Sequence, residues 1–186
     1  MCVSNLSLPL LLAWDIAANE AAQSRRKLIE PEHLFIGLCK LEDFSTTTAL
    51  TELGYDQNDS SLMKTEIVNF VDMLYRFNLN PANLRKEARQ RRNTGVLSLL
   101  NGFTTGMLRL PESESNVIHR SPASREVFGR AEELARMDGS QLITTFHLLA
   151  ALLGDEAYRL TPWLKAHVDV NDLREAALNA ALPNNR

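Results

Sequence analysis

Two histidines occupy nearly the same short context at distant points of the sequence. His33 lies in IEPEHLFIGL, residues 29–38, and His147 lies in ITTFHLLAAL, residues 143–152. A histidine among polar groups can act as a general base or bind a metal ion. However, neither histidine has cysteines or aspartates at the spacing of a metal-ligand set. We therefore expect each ring to hydrogen-bond near a helix start, and we expect no catalytic residue, no metal ion and no cofactor.

The residue before each histidine differs between the two segments, being Glu32 in the first and Phe146 in the second. In a first helical turn Glu32 favours the helix dipole; alternatively, it binds a basic group on a partner, with Glu30 close by. Phe146 either packs against the neighbouring segment or lies exposed, where an aromatic side chain can anchor an unfolded client. The sequence leaves these alternatives open, so Glu30, Glu32 and Phe146 are candidate partner-binding residues.

The composition is typical of an ordinary globular domain. Of the 186 residues, 45% are hydrophobic and 23% are charged, and the formal net charge is −3. Two cysteines, Cys2 and Cys39, are too few for a disulfide framework and suit a reducing cytoplasm, where we expect the protein to act. No nucleophile elbow of the G-x-S-x-G kind and no phosphate-binding G-x-x-x-x-G-K-[ST] loop occurs, so the sequence predicts neither a hydrolase nor an ATPase.

Both histidine segments belong to a longer internal repeat. At an offset of 114 positions, small and apolar residues recur at helical spacing, as expected for two copies of one helical unit. Ser7 and Ser121 precede the first helix of each copy and are predicted N-caps. The matching pairs are Ala17 and Ala131, Ala21 and Ala135, Leu28 and Leu142, Ile29 and Ile143, His33 and His147, Leu34 and Leu148, Leu38 and Leu152, and Leu50 and Leu164.

Each copy predicts four helices, so the predicted fold class is all-α. The first helices should end near Gln23 and Met137, and the fourth helices should cover residues 60–76 and 171–181. Because one four-helix unit of this size buries its core poorly, we expect the copies to pack together about a pseudo-twofold axis. The predicted organisation is a single domain, 1–186, with repeat one at 6–77, a helical insertion at 78–116 and repeat two at 117–183.

The insertion begins with a basic helix after Asn80-Pro81. Arg85, Arg89 and Arg92 are candidates for a docking surface that binds acidic partners. A nucleic-acid interface over residues 85–92 is an alternative, although no aromatic residues interleave with these charges. The apolar stretch that follows, residues 96–110, is expected to fold back on the body of the protein.

The doubled pattern resembles the N-terminal domain of the Clp-type unfoldases and disaggregases, the ClpA, ClpB and ClpC group. In that group a capped, alanine-rich helix precedes a turn and an Ile-x-x-Glu-His-Leu motif. The resemblance covers most of the chain, about residues 6–76 and 119–181. It is carried in copy one by Ile29, Glu32, His33, Leu34, Gly37 and Leu38, and in copy two by Ser121, Pro122, Ala131, Ala135, Gly139, Ile143, Thr144, His147, Leu148, Leu149 and Leu152.

This resemblance implies a non-enzymatic module that binds substrate or adaptor proteins for an AAA+ unfoldase. In the ClpC branch, the glutamate of each Glu-His pair helps to bind phosphorylated arginine. Here Glu32 matches one such glutamate, Phe146 replaces the other, and Glu30-Pro31 replaces the usual Gly-Thr. One of two symmetric sites should therefore be lost.

The expected binding site is the groove between the repeats, near Glu32 and Phe146. Since the ATPase loop is absent, we expect either a stand-alone module or a part of a longer protein, and we favour a stand-alone module that presents clients to an ATPase on another chain. The first alternative is a regulatory subunit that binds the Clp ATPase ring or the protease core through the insertion. The second is a helical nucleic-acid binder that uses Arg85–Arg92. We expect no association with a membrane.

Overall fold

A computed structural model describes residues 5–100, 119–154 and 160–182, with the backbone alone for 92–100. Within these ranges the chain forms nine α-helices, and the all-α prediction is confirmed. The first part contains β1 (Asn5–Leu6), α1 (Leu8–Gln23), β2 (Leu28–Ile29), α2 (Pro31–Lys40), a 3-10 turn (Leu41–Phe44), α3 (Thr47–Glu52), α4 (Gln57–Arg76) and α5 (Pro81–Leu100). The second contains β3 (His119–Arg120), α6 (Pro122–Met137), β4 (Leu142–Ile143), α7 (Thr145–Leu153), α8 (Leu160–Leu164) and α9 (Val170–Ala181).

The first helix of each repeat begins and ends at the positions predicted from its sequence. The Ser7 hydroxyl accepts a hydrogen bond from the Leu10 N–H at 3.4 Å, and the Ser121 hydroxyl accepts one from the Ser124 N–H at 3.1 Å. A proline in the first turn of each helix needs no such partner, because it has no N–H to satisfy. Local capping chemistry therefore accounts for the starts of α1 and α6.

Four two-residue strands join the beginnings of the two repeats crosswise. In one parallel pair, β1 and β4, Asn5 lies opposite Leu142; in the other, β2 and β3, Leu28 lies opposite His119. Adding 114 to Asn5 and to Leu28 gives His119 and Leu142, so one pair maps onto the other. This exchange is what a pseudo-twofold axis requires. Strands this short leave no period-two pattern in the sequence, and the sequence did not predict them.

The two repeats share one hydrophobic core. Buried side chains from helices of both repeats form a single contiguous cluster. Three pairs of aromatic rings pack edge to face where the two repeats meet, and each pair has one ring from each repeat. These pairs are Trp14 with Phe128, Phe35 with Trp163, and Phe70 with Phe146, with ring centroids 5.3, 5.8 and 5.7 Å apart.

Helix α5 packs along α2, just as α9 packs along α7. The side chains of Leu84 and Ala88, on the inner face of α5, are buried. The predicted boundary between repeat one and the insertion, at residues 77 and 78, would separate α5 from the helix it packs on. We therefore propose that α5 is the fourth helix of repeat one. The additional segment then lies inside repeat one, where 40 residues (41–80) separate α2 from α5 but only 16 (154–169) separate α7 from α9.

Candidate functional site

The two histidines have the structural role expected from the sequence. His33 and His147 are 1% and 0% exposed, and the Nδ1 atom of each ring accepts a hydrogen bond from a backbone N–H. The donors are Glu30, 2.9 Å from His33, and Thr144, 3.0 Å from His147. Because each ring nitrogen that accepts this bond is unprotonated, the proton of the neutral ring lies on Nε2. The rings thus fix the turns that precede α2 and α7.

The partner of Nε2 differs between the repeats. His147 Nε2 lies 2.7 Å from an Asp138 carboxylate oxygen, whereas His33 Nε2 lies 3.4 Å from the Ser24 hydroxyl at the equivalent position. Burial alone would raise the pKa of Asp138, but hydrogen bonds from His147 and Ser140 outweigh burial and hold the pKa below its usual value. Repeat two therefore places an ionised carboxylate against its histidine, at the position where repeat one has the Ser24 hydroxyl.

The start of α2 is a partly exposed acidic surface. Glu30, at the N-cap position, and Glu32, in the first turn, are both half-buried, and Pro31 between them is buried and has no N–H. The nearby Ser124 hydroxyl donates a hydrogen bond to the Ile29 carbonyl at 2.6 Å, so its proton is already engaged inside the protein. This surface offers two carboxylates, which suit a basic group on a partner, and that of Glu30 also accepts a hydrogen bond from the His33 N–H in the capping box of α2.

The start of α7 is covered by side chains of α4. Phe146 is only 5% exposed, and its ring packs edge to face on Phe70 of α4. Of the two alternatives for Phe146, the structure shows packing against the other repeat. The structure therefore leaves Glu32 accessible and buries Phe146, so the two residues do not form one open groove.

A residue that the sequence analysis missed, Glu66 of α4, completes this cover. Its Oε1 atom accepts hydrogen bonds from the Thr145 N–H at 2.9 Å, the Thr145 hydroxyl at 2.8 Å and the Ser7 hydroxyl at 3.0 Å. Burial raises the pKa of Glu66, and these hydrogen bonds oppose that shift without cancelling it. The sequence did contain a signal for this residue. Glu66 lies at helical spacing from the apolar residues Met63 and Phe70, which places an acidic side chain on the buried face of α4.

Two arginines of the predicted docking surface form ion pairs inside the protein. Arg85 lies 2.7 Å from Asp43, and Arg89 binds Glu20 through two hydrogen bonds, one of them 3.0 Å from Nε to Oε2. Glu20 is only 3% exposed, so Arg89 compensates a buried charge. The side chain of Arg92 and residues 101–110 of the apolar stretch lie outside the described residues. Arg85 and Arg89 hold α5 to repeat one, which disfavours a nucleic-acid interface that would use these charges.

Two features that would indicate other functions are missing from the described parts of the chain. Over residues 5–100, 119–154 and 160–182, no three histidine, cysteine, aspartate or glutamate side chains are grouped as a metal site requires. In the same ranges, no helix has the length and apolar character needed to cross a lipid bilayer.

Comparison with known proteins identifies the second repeat. Residues 120–184 match the family model described as the Clp repeat (R) N-terminal domain. Repeat two is therefore similar to the Clp repeat. This confirms the resemblance seen in the sequence, which was carried by the same capped helix and histidine motif. A search of curated protein sequences finds no match to the chain.

Solved structures extend the Clp repeat fold to the whole chain. One, the N-terminal domain of the caseinolytic protease associated chaperone ClpD from Arabidopsis thaliana, has a TM-score of 0.50 and 15% identity, with coverage of 96% of both chains. Another comes from "Preliminary structural investigations of a malarial protein secretion system", with a TM-score of 0.58, 18% identity, and coverage of 95% of this chain and 93% of that one. At such identities the likeness establishes the fold alone.

Proposed function

We propose that the protein is a non-enzymatic protein-binding module of the Clp chaperone and protease system. In this proposal it binds substrate or adaptor proteins for an AAA+ unfoldase in the cytoplasm. The Clp repeat and the fold shared with the ClpD N-terminal domain support the placement in this system. The free, buried thiol of Cys39 suits a reducing compartment.

The observation that carries the choice of surface is the difference between the two equivalent helix starts. At α7, Glu66 and Phe146 fill the surface with groups of the protein itself. At α2, Glu30 and Glu32 are partly exposed. We propose that this acidic surface binds basic side chains in unfolded or extended segments of partner proteins.

The experiment is a fluorescence anisotropy titration with a labelled, unfolded peptide that carries several arginines. We expect the double variant Glu30→Gln, Glu32→Gln to bind about tenfold more weakly than the wild type, which corresponds to about 1.4 kcal/mol. The matched control is Glu132→Gln, Glu133→Gln, which removes the same charge from the middle of α6.

An equal loss in both double variants would mean that the peptide responds only to net charge. No loss in either variant would exclude the α2 surface as the binding site. Salt dependence separates the two cases further, since a nonspecific attraction falls steeply with ionic strength in both variants.

A further inference from the structure

The cover over the start of α7 consists of two side chains from one face of α4, one turn apart. Glu66 binds the polar groups at the helix start, and Phe70 packs on the ring of Phe146. Both belong to a helix of the other repeat. The cover is therefore a contact between repeats and not a local feature of α7.

The Glu66 carboxylate lies where two helices begin. Ser7 is the N-cap of α1 and Thr145 is the first residue of α7, and both donate to the same carboxylate oxygen. Helix N-termini favour a negative charge, and a carboxylate satisfies N–H and hydroxyl donors that are otherwise unpaired. Glu66 thus takes the place of an anionic ligand.

Among the described residues, the pseudo-symmetric surface at α2 shows no counterpart of this contact. At α2, Pro31 stands where Thr145 stands at α7, so the backbone donor and the hydroxyl donor are both missing. Between α7 and α9 the chain has only 16 residues, against 40 between α2 and α5, where α4 lies. The contact therefore comes with the additional segment of repeat one and is not a general property of the repeat.

We propose that α4 is a built-in ligand of repeat two, in which Glu66 and Phe70 close the partner surface at the start of α7. This inference rests on the proposed function, because it treats that surface as the equivalent of the one at α2. The chain then presents one partner surface and not two. The chemical class that fits the closed surface is a segment with a carboxylate one helical turn before an aromatic ring. The raised pKa of Glu66 agrees with a contact in which burial of the carboxylate is only partly compensated.

The experiment is chemical complementation of the double variant Glu66→Ala, Phe70→Ala. The probe is 4-phenylbutyrate, which carries a carboxylate and a phenyl ring, and acetate and benzyl alcohol are the controls. We expect 4-phenylbutyrate to raise the melting temperature of the double variant saturably, and more than either control does. It should also shift the NMR signals of the Thr145 and Phe146 amides. The wild type should show neither effect.

The proposal is overturned if the double variant shows no saturable stabilisation, or if the wild type responds equally. Should the double variant fail to fold, the single variant Glu66→Ala with formate tests the same carboxylate position by the same two measurements. Failure here would leave the result for Glu30 and Glu32 unaffected, since that test uses other residues and another probe. Conversely, complementation would stand even if the α2 surface bound no peptide.

Discussion

At the scale of single residues, the two repeats solve the same local problem with different chemistry. The turn after the first helix needs a residue in the left-handed conformation; repeat two uses Gly139 at φ +78°, and repeat one uses Arg25 at φ +54°. The histidine that follows has Ser24 as its partner in one repeat and Asp138 in the other. The backbone is thus kept while the side chains differ, and the aspartate of repeat two adds a titratable carboxylate to its turn.

Asp138→Ser, which copies the residue of repeat one, should lower the free energy of unfolding by about 1–2 kcal/mol near pH 7. Because the pKa of Asp138 is lower in the folded than in the unfolded protein, ionised Asp138 stabilises the fold above its unfolded pKa. That contribution is lost as the pH falls through the folded-state pKa. The difference between variant and wild type in urea denaturation should therefore be constant above about pH 5 and shrink as the pH falls further.

Ser24→Ala is the control for this prediction, because it removes the corresponding hydroxyl partner of His33 without removing an acid. The loss of stability in this variant should not diminish as carboxylates are protonated. If Asp138→Ser instead shows a constant difference at every pH, Asp138 stabilises the turn without its charge.

At the scale of elements, the sequence predicted the helices well wherever local chemistry determines them. Serine caps and first-turn prolines gave the starts of α1 and α6, and the two ends at Gln23 and Met137 are confirmed. In the division that we propose, α5 takes the place that the sequence prediction gave to α4, because a constant offset of 114 cannot reveal extra residues inside one copy. For the same reason Glu66 was missed, since it lies in the segment that has no counterpart in repeat two.

Close packing of α1 on α2 agrees with the alanines spaced by four along α1, Ala13, Ala17 and Ala21, which are all buried. A Cβ atom at Gly37 of α2 would lie 2.3 Å from the Ala13 carbonyl oxygen, which is far inside contact distance. We expect Gly37→Ala to destabilise the protein by about 1–3 kcal/mol, because the two helix backbones must separate. The measurement is the midpoint of chemical denaturation, followed by circular dichroism.

The matched control is Gly129→Ala in α6, where an added Cβ atom meets nothing within 4 Å. There the better helix propensity of alanine should stabilise the protein by up to about 1 kcal/mol. The same substitution thus has opposite signs in two helices of one fold. A stabilising Gly37→Ala would show that α1 and α2 are not in backbone contact.

At the scale of the whole molecule, the contacts that join the repeats argue for one cooperative unit. The crossed strands, the three aromatic pairs and the bonds to Glu66 all link residues of different repeats. Neither repeat keeps these contacts if the other unfolds, and each alone is small for an independent core. Repetition in the sequence predicted two similar units, but it could not show how deeply they depend on each other.

Two tryptophans, Trp14 in repeat one and Trp163 in repeat two, allow this cooperativity to be measured. Each lies in an aromatic pair with a ring of the other repeat, Phe128 and Phe35 respectively. We expect the fluorescence of the single-tryptophan variants Trp163→Phe and Trp14→Phe to follow the same denaturation curve as their circular dichroism. If one repeat unfolded first, both fluorescence signals would change while a large part of the helical signal persisted. Coincident curves would instead mean that the open surface at α2 and the closed surface at α7 exist only together, as two halves of one folded domain.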